Sequence, residues 1–235
     1  MSLTPGFHPL WPTPFGVHRY ALAGALNPQL SRMLVALRRL DESQRGLPAG
    51  SSTFHASDDD LLRRIRLPEW QQFVEFVVAS LQDTVSRANA DAWPAGGLQL
   101  RVAIEGMWFQ IGNRGAFHDI HSHGNCSWSG VYVVQVDDAA ARERHPVFGA
   151  ANGVTRFQGP RLALLGGAHA DLGNAYLQVP QVDVAPLPGQ LLLFPSWLLH
   201  QALPYEGTQD RIVISFNASV HAAQGGDRLH GFAAA

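Results

Sequence analysis

Cysteine is nearly absent from this chain: Cys126 is the one thiol in 235 residues. No intrachain disulfide can form, and the default expectation is a reducing, cytoplasmic setting. Charge is also sparse, at 15% of residues against 46% hydrophobic, with a net charge of −2. That balance excludes a disordered chain. Without a basic run, nothing points to nucleic acid or to an anionic membrane surface. No apolar run approaches the ~18–20 residues of a membrane span, and no repeat of ~20–50 residues is visible. The opening stretch, MSLTPGFHPLWPTPFGV, lacks the charged start and continuous apolar core of a signal peptide. Ser196 is not in a G-x-S-x-G elbow, and Gly166-Gly167 lacks a phosphate-loop pattern. The expectation is a soluble globular protein, with no membrane partner; a homo-oligomer is left open.

The apolar residues that are present change period along the chain. Asn27-Pro28 reads as a cap and first helical residue, after which Leu30, Met33, Leu34, Leu37 and Leu40 recur at helical spacing and predict a helix over 28–40. Ser57 followed by three aspartates predicts the start of a short helix over 61–65. A long helix is expected over 69–89, with Phe73, Phe76, Val77, Leu81 and Val85 inward. After Trp93-Pro94 the pattern becomes short strands divided by Gly, Pro, Asn and Asp: 98–111, 128–136, 154–157 and 175–184, with a Gly-rich excursion at 160–174. Helices followed by many short strands predict a mainly β sandwich or barrel covered by a helical layer. The expected division is an N-terminal arm and helices over 1–97, a β core over 98–221 and a tail over 222–235.

The run Pro188–Val220, PGQLLLFPSWLLHQALPYEGTQDRIVISFNASV, predicts three strands: 191–194, 197–203 and 211–220. Two residues in it suit no ordinary sheet core, His200 and Arg211. If Leu203 pairs with Asp210 across the turn, His200 faces Val213, and Arg211, Val213, Ser215 and Asn217 share its face. His200 and Arg211 then become diagonal neighbours roughly 7–8 Å apart, a reach that suits a short diacid held between a bound group and the Arg. A rim histidine and an Arg paired with Glu206 or Asp210 would satisfy the same pattern.

A second histidine group shifts that balance. Phe117–Asn125 reads FHDIHSHGN, immediately before the strongest strand. If it is extended, Asp119, His121 and His123 share one face while His118 and Ile120 point the other way. Side chains at i and i+2 can reach one metal ion, and a distant strand can supply a third ligand, for which His200 is the natural candidate. Imidazole and carboxylate on three corners, with the remaining positions open, favour a non-haem Fe(II) oxygenase site. Solvated loop histidines are the plain alternative. Cys126, beside the cluster, is expected to be a small buried residue.

HSHGNCSWSGVYVVQV, followed by the Pro188–Val220 run, resembles the 2-oxoglutarate/Fe(II) oxygenase family. That family has a jelly-roll (double-stranded β-helix) domain with an H-x-H block ahead of a W/L-S-G-V-Y-Y-V strand. A later block reads G-x-L-x-x-F-P-S…H…R-I-x-I-S-F-N. The similarity spans residues 100–220, and STFHASDDDLL at 52–62 loosely resembles an N-terminal block of the family.

The resemblance implies Fe(II) and 2-oxoglutarate as cofactors, with O2 and an organic substrate as partners. His121 and His200 would be iron ligands. Arg211 would grip the distal carboxylate of 2-oxoglutarate as a bidentate fork, and Tyr132, Ser215 and Asn217 would add hydrogen bonds. One departure matters: most such oxygenases carry His-x-Asp or His-x-Glu, whereas two positions after His121 stands His123. The centre is then either His121, His123 and His200, or it takes its carboxylate from Asp119. The implied reaction is oxidative decarboxylation of 2-oxoglutarate coupled to substrate hydroxylation. Two rivals use the same residues: a cupin-like three-histidine dioxygenase without 2-oxoglutarate, and a non-catalytic metal-bearing jelly roll that binds a ligand or protein.

Overall fold

The computed structural model describes residues 12–94, 98–159, 171–177 and 180–222. Among the described residues ten strands form two antiparallel sheets. The larger has the order β1-β8-β5-β10-β3-β2 and the smaller β4-β9-β6-β7. In chain order the strands are β1 Gly16–Arg19, β2 Phe54–Ala56, β3 Leu100–Gly112, β4 Ala116–His121, β5 Trp128–Gln135, β6 Thr155–Gln158, β7 Gln181–Val184, β8 Gln190–Pro195, β9 His200–Tyr205 and β10 Arg211–Ala222. Four helices accompany them: α1 Ala23–Gln44, α2 Leu61–Arg64, α3 Pro68–Ala88 and α4 Ala139–Glu143. This is the expected jelly roll under a helical layer. The N-terminal part does more than cover it, since β1 and β2 extend the larger sheet at both edges. No described helix is long and apolar enough to cross a membrane.

The larger sheet has two different faces because its strands alternate. Met107, Phe109, Ile111, Tyr132, Val134, Ile212, Ile214 and Phe216 point outward to Leu30, Leu34, Phe73, Val77 and Leu81 of α1 and α3. Val131, Val133, Leu192, Phe194 and Val213 point inward, toward Phe157 and Tyr205 of the smaller sheet and Leu198 of the turn before β9. Gly130 belongs to the outer face, where a Cβ would lie 2.3 Å from the Phe216 ring. Only glycine lets that ring close over the strand.

Several boundaries differ from the sequence reading. α1 starts one turn early, so Pro28 lies inside it, and Asn27 is no cap. The Asn27 side chain is buried, donating to the Val134 carbonyl at 2.9 Å and accepting from the Tyr132 hydroxyl at 2.7 Å. A tertiary bond has replaced the local one. Ser57 does not cap α2 either, because its hydroxyl accepts the Phe109 amide at 3.1 Å. The strand expected over 175–184 is confined to 181–184, after a 3-10 stretch at Leu172–Leu177. Gly166-Gly167, His169 and the tail beyond 222 lie outside the described residues.

The largest correction concerns the expected hairpin of β9 and β10, which does not exist. β9 belongs to the smaller sheet and β10 to the larger, so the chain at 206–210 crosses between sheets. The crossing is held by the buried Asp137 carboxylate, which accepts the Thr208 amide at 2.6 Å and its hydroxyl at 2.9 Å. His200 and Arg211 therefore approach one another across the sandwich, not diagonally along one sheet.

Candidate metal and dicarboxylate site

The space between the sheets opens into a cavity lined by His118, His121, His123 and His200 with Arg211, Thr155, Ser215, Gln110 and Trp108. The imidazoles of His121, His123 and His200 each arrive from a separate segment. His121 ends β4, opposite His200, which begins β9. His123 lies in the following loop, whose backbone is stitched to the turn before β9: the His123 amide donates to the Ser196 carbonyl at 2.9 Å. The Ser196 hydroxyl in turn donates to the Cys126 carbonyl at 2.6 Å. Asn125 takes the left-handed turn in this loop, at φ 57°, a conformation that Asn adopts more readily than most residues.

The structure brings His121, His123 and His200 together, with one ligand nitrogen from each within 4.8 Å of the others. The His121 Nδ1–H donates to the Asp119 carbonyl at 2.7 Å and the His200 Nδ1–H to the Leu198 carbonyl at 2.9 Å. Those bonds fix the ring orientations and leave Nε2 of both rings free, the arrangement metal-binding imidazoles usually have. Nε2 of His123 and of His200 face each other at 3.3 Å. Burial, with the neighbouring histidines adding to it, pulls the His123 pKa down to about 4. Burial likewise pulls His200 down to about 3, against the opposing pull of its bond to Leu198. Both are neutral lone-pair donors near pH 7, so the donor set fits a divalent transition metal.

The other residues singled out in the sequence divide clearly. Asp119 is exposed, and its carboxylate accepts the Ile120 amide at 2.8 Å, so it stands apart from the three rings. Arg211 and Ser215 line the cavity. Asn217 is half-buried outside the lining, accepting the Ser129 hydroxyl at 2.8 Å. Tyr132 is on the wrong face: it is buried among the helix-side residues, with its hydroxyl committed to Asn27. Cys126 is half-buried.

Arg211 is the electrostatic oddity. It is only 8% exposed, its Nη2 donates to the Thr155 hydroxyl at 3.2 Å, and its Nε has no partner. Burial lowers its pKa to about 10, which still leaves it charged at neutral pH. Among the described residues no carboxylate pairs with it. A buried, charged donor left open costs several kcal/mol, on the order of the penalty for an unpaired ion, and an incoming anion removes that cost.

Several lining residues escaped the sequence reading, His118, Thr155, Gln110 and Trp108 among them. His118 was assigned to the opposite face by strict alternation. Between the pairs His118–Ala202 and His121–His200, however, β4 holds one residue more than β9. This bulge flips the parity, and the His118 ring packs 4.1 Å from that of His121. Thr155, Gln110 and Trp108 come from β6 and β3. A period-2 reading does mark Gln110 as polar on the inward side of β3, and pairs Thr155 with Phe157 on β6.

Residues 106–217 match a family model described as "Putative 2OG-Fe(II) oxygenase". This part of the chain belongs to the 2-oxoglutarate/Fe(II) oxygenase family. The oxygenase's cofactors are accordingly Fe(II) and 2-oxoglutarate, and the readings without 2-oxoglutarate or without catalysis are not favoured. Solved structures share the fold at low identity. The non-haem α-ketoglutarate-dependent epimerase SnoN from nogalamycin biosynthesis is 11% identical at a TM-score of 0.54, covering 92% of this chain and 84% of its own. HygX from Streptomyces hygroscopicus, solved with nickel and 2-oxoglutarate bound, is 14% identical at 0.50, covering 88% and 83%. The collagen prolyl hydroxylase of Paramecium Bursaria Chlorella virus-1 is 9% identical at 0.50, covering 90% and 97%. No curated relative matches the oxygenase.

Proposed function

We propose that His121, His123 and His200 hold the Fe(II) of this oxygenase and that Arg211 anchors the distal carboxylate of 2-oxoglutarate. The observation that carries this reading is the open guanidinium: a buried, unpaired Arg211 in the same cavity as three converging neutral imidazoles. A dicarboxylate is the anion that joins the two ends. When bound, iron and 2-oxoglutarate would supply, with O2 as the oxidant, oxidative decarboxylation to succinate and CO2 coupled to hydroxylation of a C–H bond, one oxygen atom going to each product.

The chain's own residues do the positioning. The Arg211 fork grips a carboxylate in-plane, while Thr155 steadies that fork from β6 and Ser215 adds a hydroxyl beside it. Val131 and Phe194 wall the cavity, backed by Val133 and Val213 of the same buried cluster. Trp108, Gln110 and His118 also line the cavity, and in this reading they are left to contact the organic substrate. Asp119 takes no part in ligation, and Tyr132 none in cosubstrate binding. Residues 98–221 act as the catalytic core, and the described part of 1–97 supplies its helical cover and both edge strands of the larger sheet.

The test is succinate formation by purified protein. It is expected to require both Fe(II) and 2-oxoglutarate and to vanish in His121→Ala. Wild-type protein that binds no 2-oxoglutarate would overturn the assignment of Arg211.

A further inference from the structure

The run Asp58-Asp59-Asp60 makes no side-chain cap for α2, and the structure gives its three carboxylates different partners. Asp58 pairs with Arg45 at 3.6 Å and Asp60 with Arg64 at 3.8 Å. Asp59 is exposed, and among the described residues no ion pair or hydrogen bond engages its carboxylate. That carboxylate lies over β3. A Cβ on the buried Gly106 would stand 3.1 Å from both the Cβ and the Oδ2 of Asp59, so glycine there makes room for the acid. The backbone holds the segment in place, since the Met107 amide donates to the Asp59 carbonyl at 3.0 Å.

Gly106 is on the cavity side of the sheet. Met107, Phe109 and Ile111 pack against the helices, so Gly106, Trp108 and Gln110 face inward, and Trp108 and Gln110 line the cavity. Across the β3–β10 ladder, Gly112 pairs with Arg211, Trp108 with Ser215 and Gly106 with Asn217. Successive inward residues are roughly 6–7 Å apart along a strand. The Trp108 ring lies 5.8 Å from that of His123 and marks the level of the imidazoles. Arg211 is therefore two steps to one side of that level, and Asp59 one step to the other.

We propose that Asp59 is a specificity-determining residue that holds a positively charged nitrogen of the organic substrate, an amine or guanidinium, with the Trp108 ring as the second contact. The proposal rests on the assignment of the metal ligands and of Arg211 above. The cavity lining itself contains no acid, and the charge of 2-oxoglutarate is met by Arg211 and the metal, so it leaves Asp59 uncompensated. A carboxylate beside an aromatic face selects for a cation. A guanidinium suits both contacts, because its planar fork pairs with the carboxylate and its face stacks on the ring.

The experiment measures binding of n-butylguanidinium and of its neutral isostere n-butylurea to the full chain by ligand-observed NMR, with Zn(II) and 2-oxoglutarate present. Wild type is expected to prefer the cation by roughly five- to thirtyfold, the combined effect of an exposed ion pair and a cation–π contact. Asp59→Asn should abolish the preference and leave butylurea binding unchanged. Asp58→Asn, which removes the neighbouring acid, should keep the preference. Equal binding of the two probes by wild type overturns the proposal, as does a preference that Asp59→Asn retains or that Asp58→Asn loses to the same extent. Binding of 2-oxoglutarate, read in the same samples, tests the ligand assignment separately: its absence, with an Asp59-dependent cation preference intact, overturns that assignment and not the cation contact.

Discussion

The two faces of the larger sheet carry comparable polar residues with opposite fates. On the helix side the Tyr132 hydroxyl is buried but donates to Asn27, whose amide donates to Val134, so the pair is closed. On the inner side Arg211 is equally buried, yet its Nε has no partner. A satisfied buried polar group rigidifies the core that contains it. An unsatisfied one stores a cost that a ligand relieves. Both residues look like pocket candidates in the sequence, and the face they occupy and the partners they find separate them.

The largest expected break between the two faces lies at the imidazoles. His200→Ala should lower metal affinity by more than the roughly 10–100-fold that losing an outer hydrogen-bond partner costs, while leaving the helix-side core intact. Metal content after reconstitution and the far-ultraviolet circular dichroism spectrum read the two sides separately. Retained metal in His200→Ala would place the centre elsewhere.

Arg211→Met comes next. Removing one partner of a desolvated charge pair costs on the order of 2–5 kcal/mol, or about one and a half to four decades in 2-oxoglutarate affinity. The variant should fold and should lose the charge-transfer band that wild type is expected to give with Fe(II) and 2-oxoglutarate under anaerobic conditions. An unchanged 2-oxoglutarate affinity would mean that the guanidinium meets some other anion.

Tyr132→Phe sharpens the contrast from the other face. It leaves the Asn27 oxygen without its donor in a buried setting, a loss of about 1–3 kcal/mol, or roughly 2–4 °C in Tm per kcal/mol for a chain of this size. Binding of 2-oxoglutarate should not change. A weaker cosubstrate affinity without a loss of stability would return Tyr132 to the site.

The smallest effect is the pH response of the metal-free protein. His123 and His200 titrate near 4 and 3 when folded, depressed first by burial, and near 6.5 when unfolded. Below pH 6.5 the unfolded chain takes up protons that the folded chain refuses, so stability falls as pH drops from about 6.5 toward about 4. The urea midpoint at pH 5 should lie below that at pH 7, and His200→Gln should narrow the gap. A gap of the same width in both proteins would assign the effect to other groups, among which His55 and His118 are also depressed, first by burial.

Much of the β core was legible because strands announce themselves by alternation and turns by Gly and Pro. Trp128–Gln135 and Gln190–Pro195 appear almost where the pattern put them. The helices were placed by their apolar stripes but not at their ends: Asn27 left its local role for a bond to a strand more than a hundred residues away, which no window of sequence contains. The metal-ligand candidates were legible as residue types at i, i+2 and a distant third position. His118 was not, since one inserted residue in β4 reversed its face.

What the sequence determined by itself was composition and period: a mainly β chain with a helical cover, a histidine cluster before the strongest strand, and an arginine after a lone histidine. The tertiary structure alone decided which of these meet. His200 and Arg211 share a cavity because the chain changes sheets between them, bringing the inward faces of β9 and β10 opposite each other across the sandwich. Side-chain alternation is a local property, readable from neighbours in the chain. Sheet membership, bulges and hydrogen-bond partners are settled by the packing of distant segments, where burial makes every polar group find a partner or wait for one.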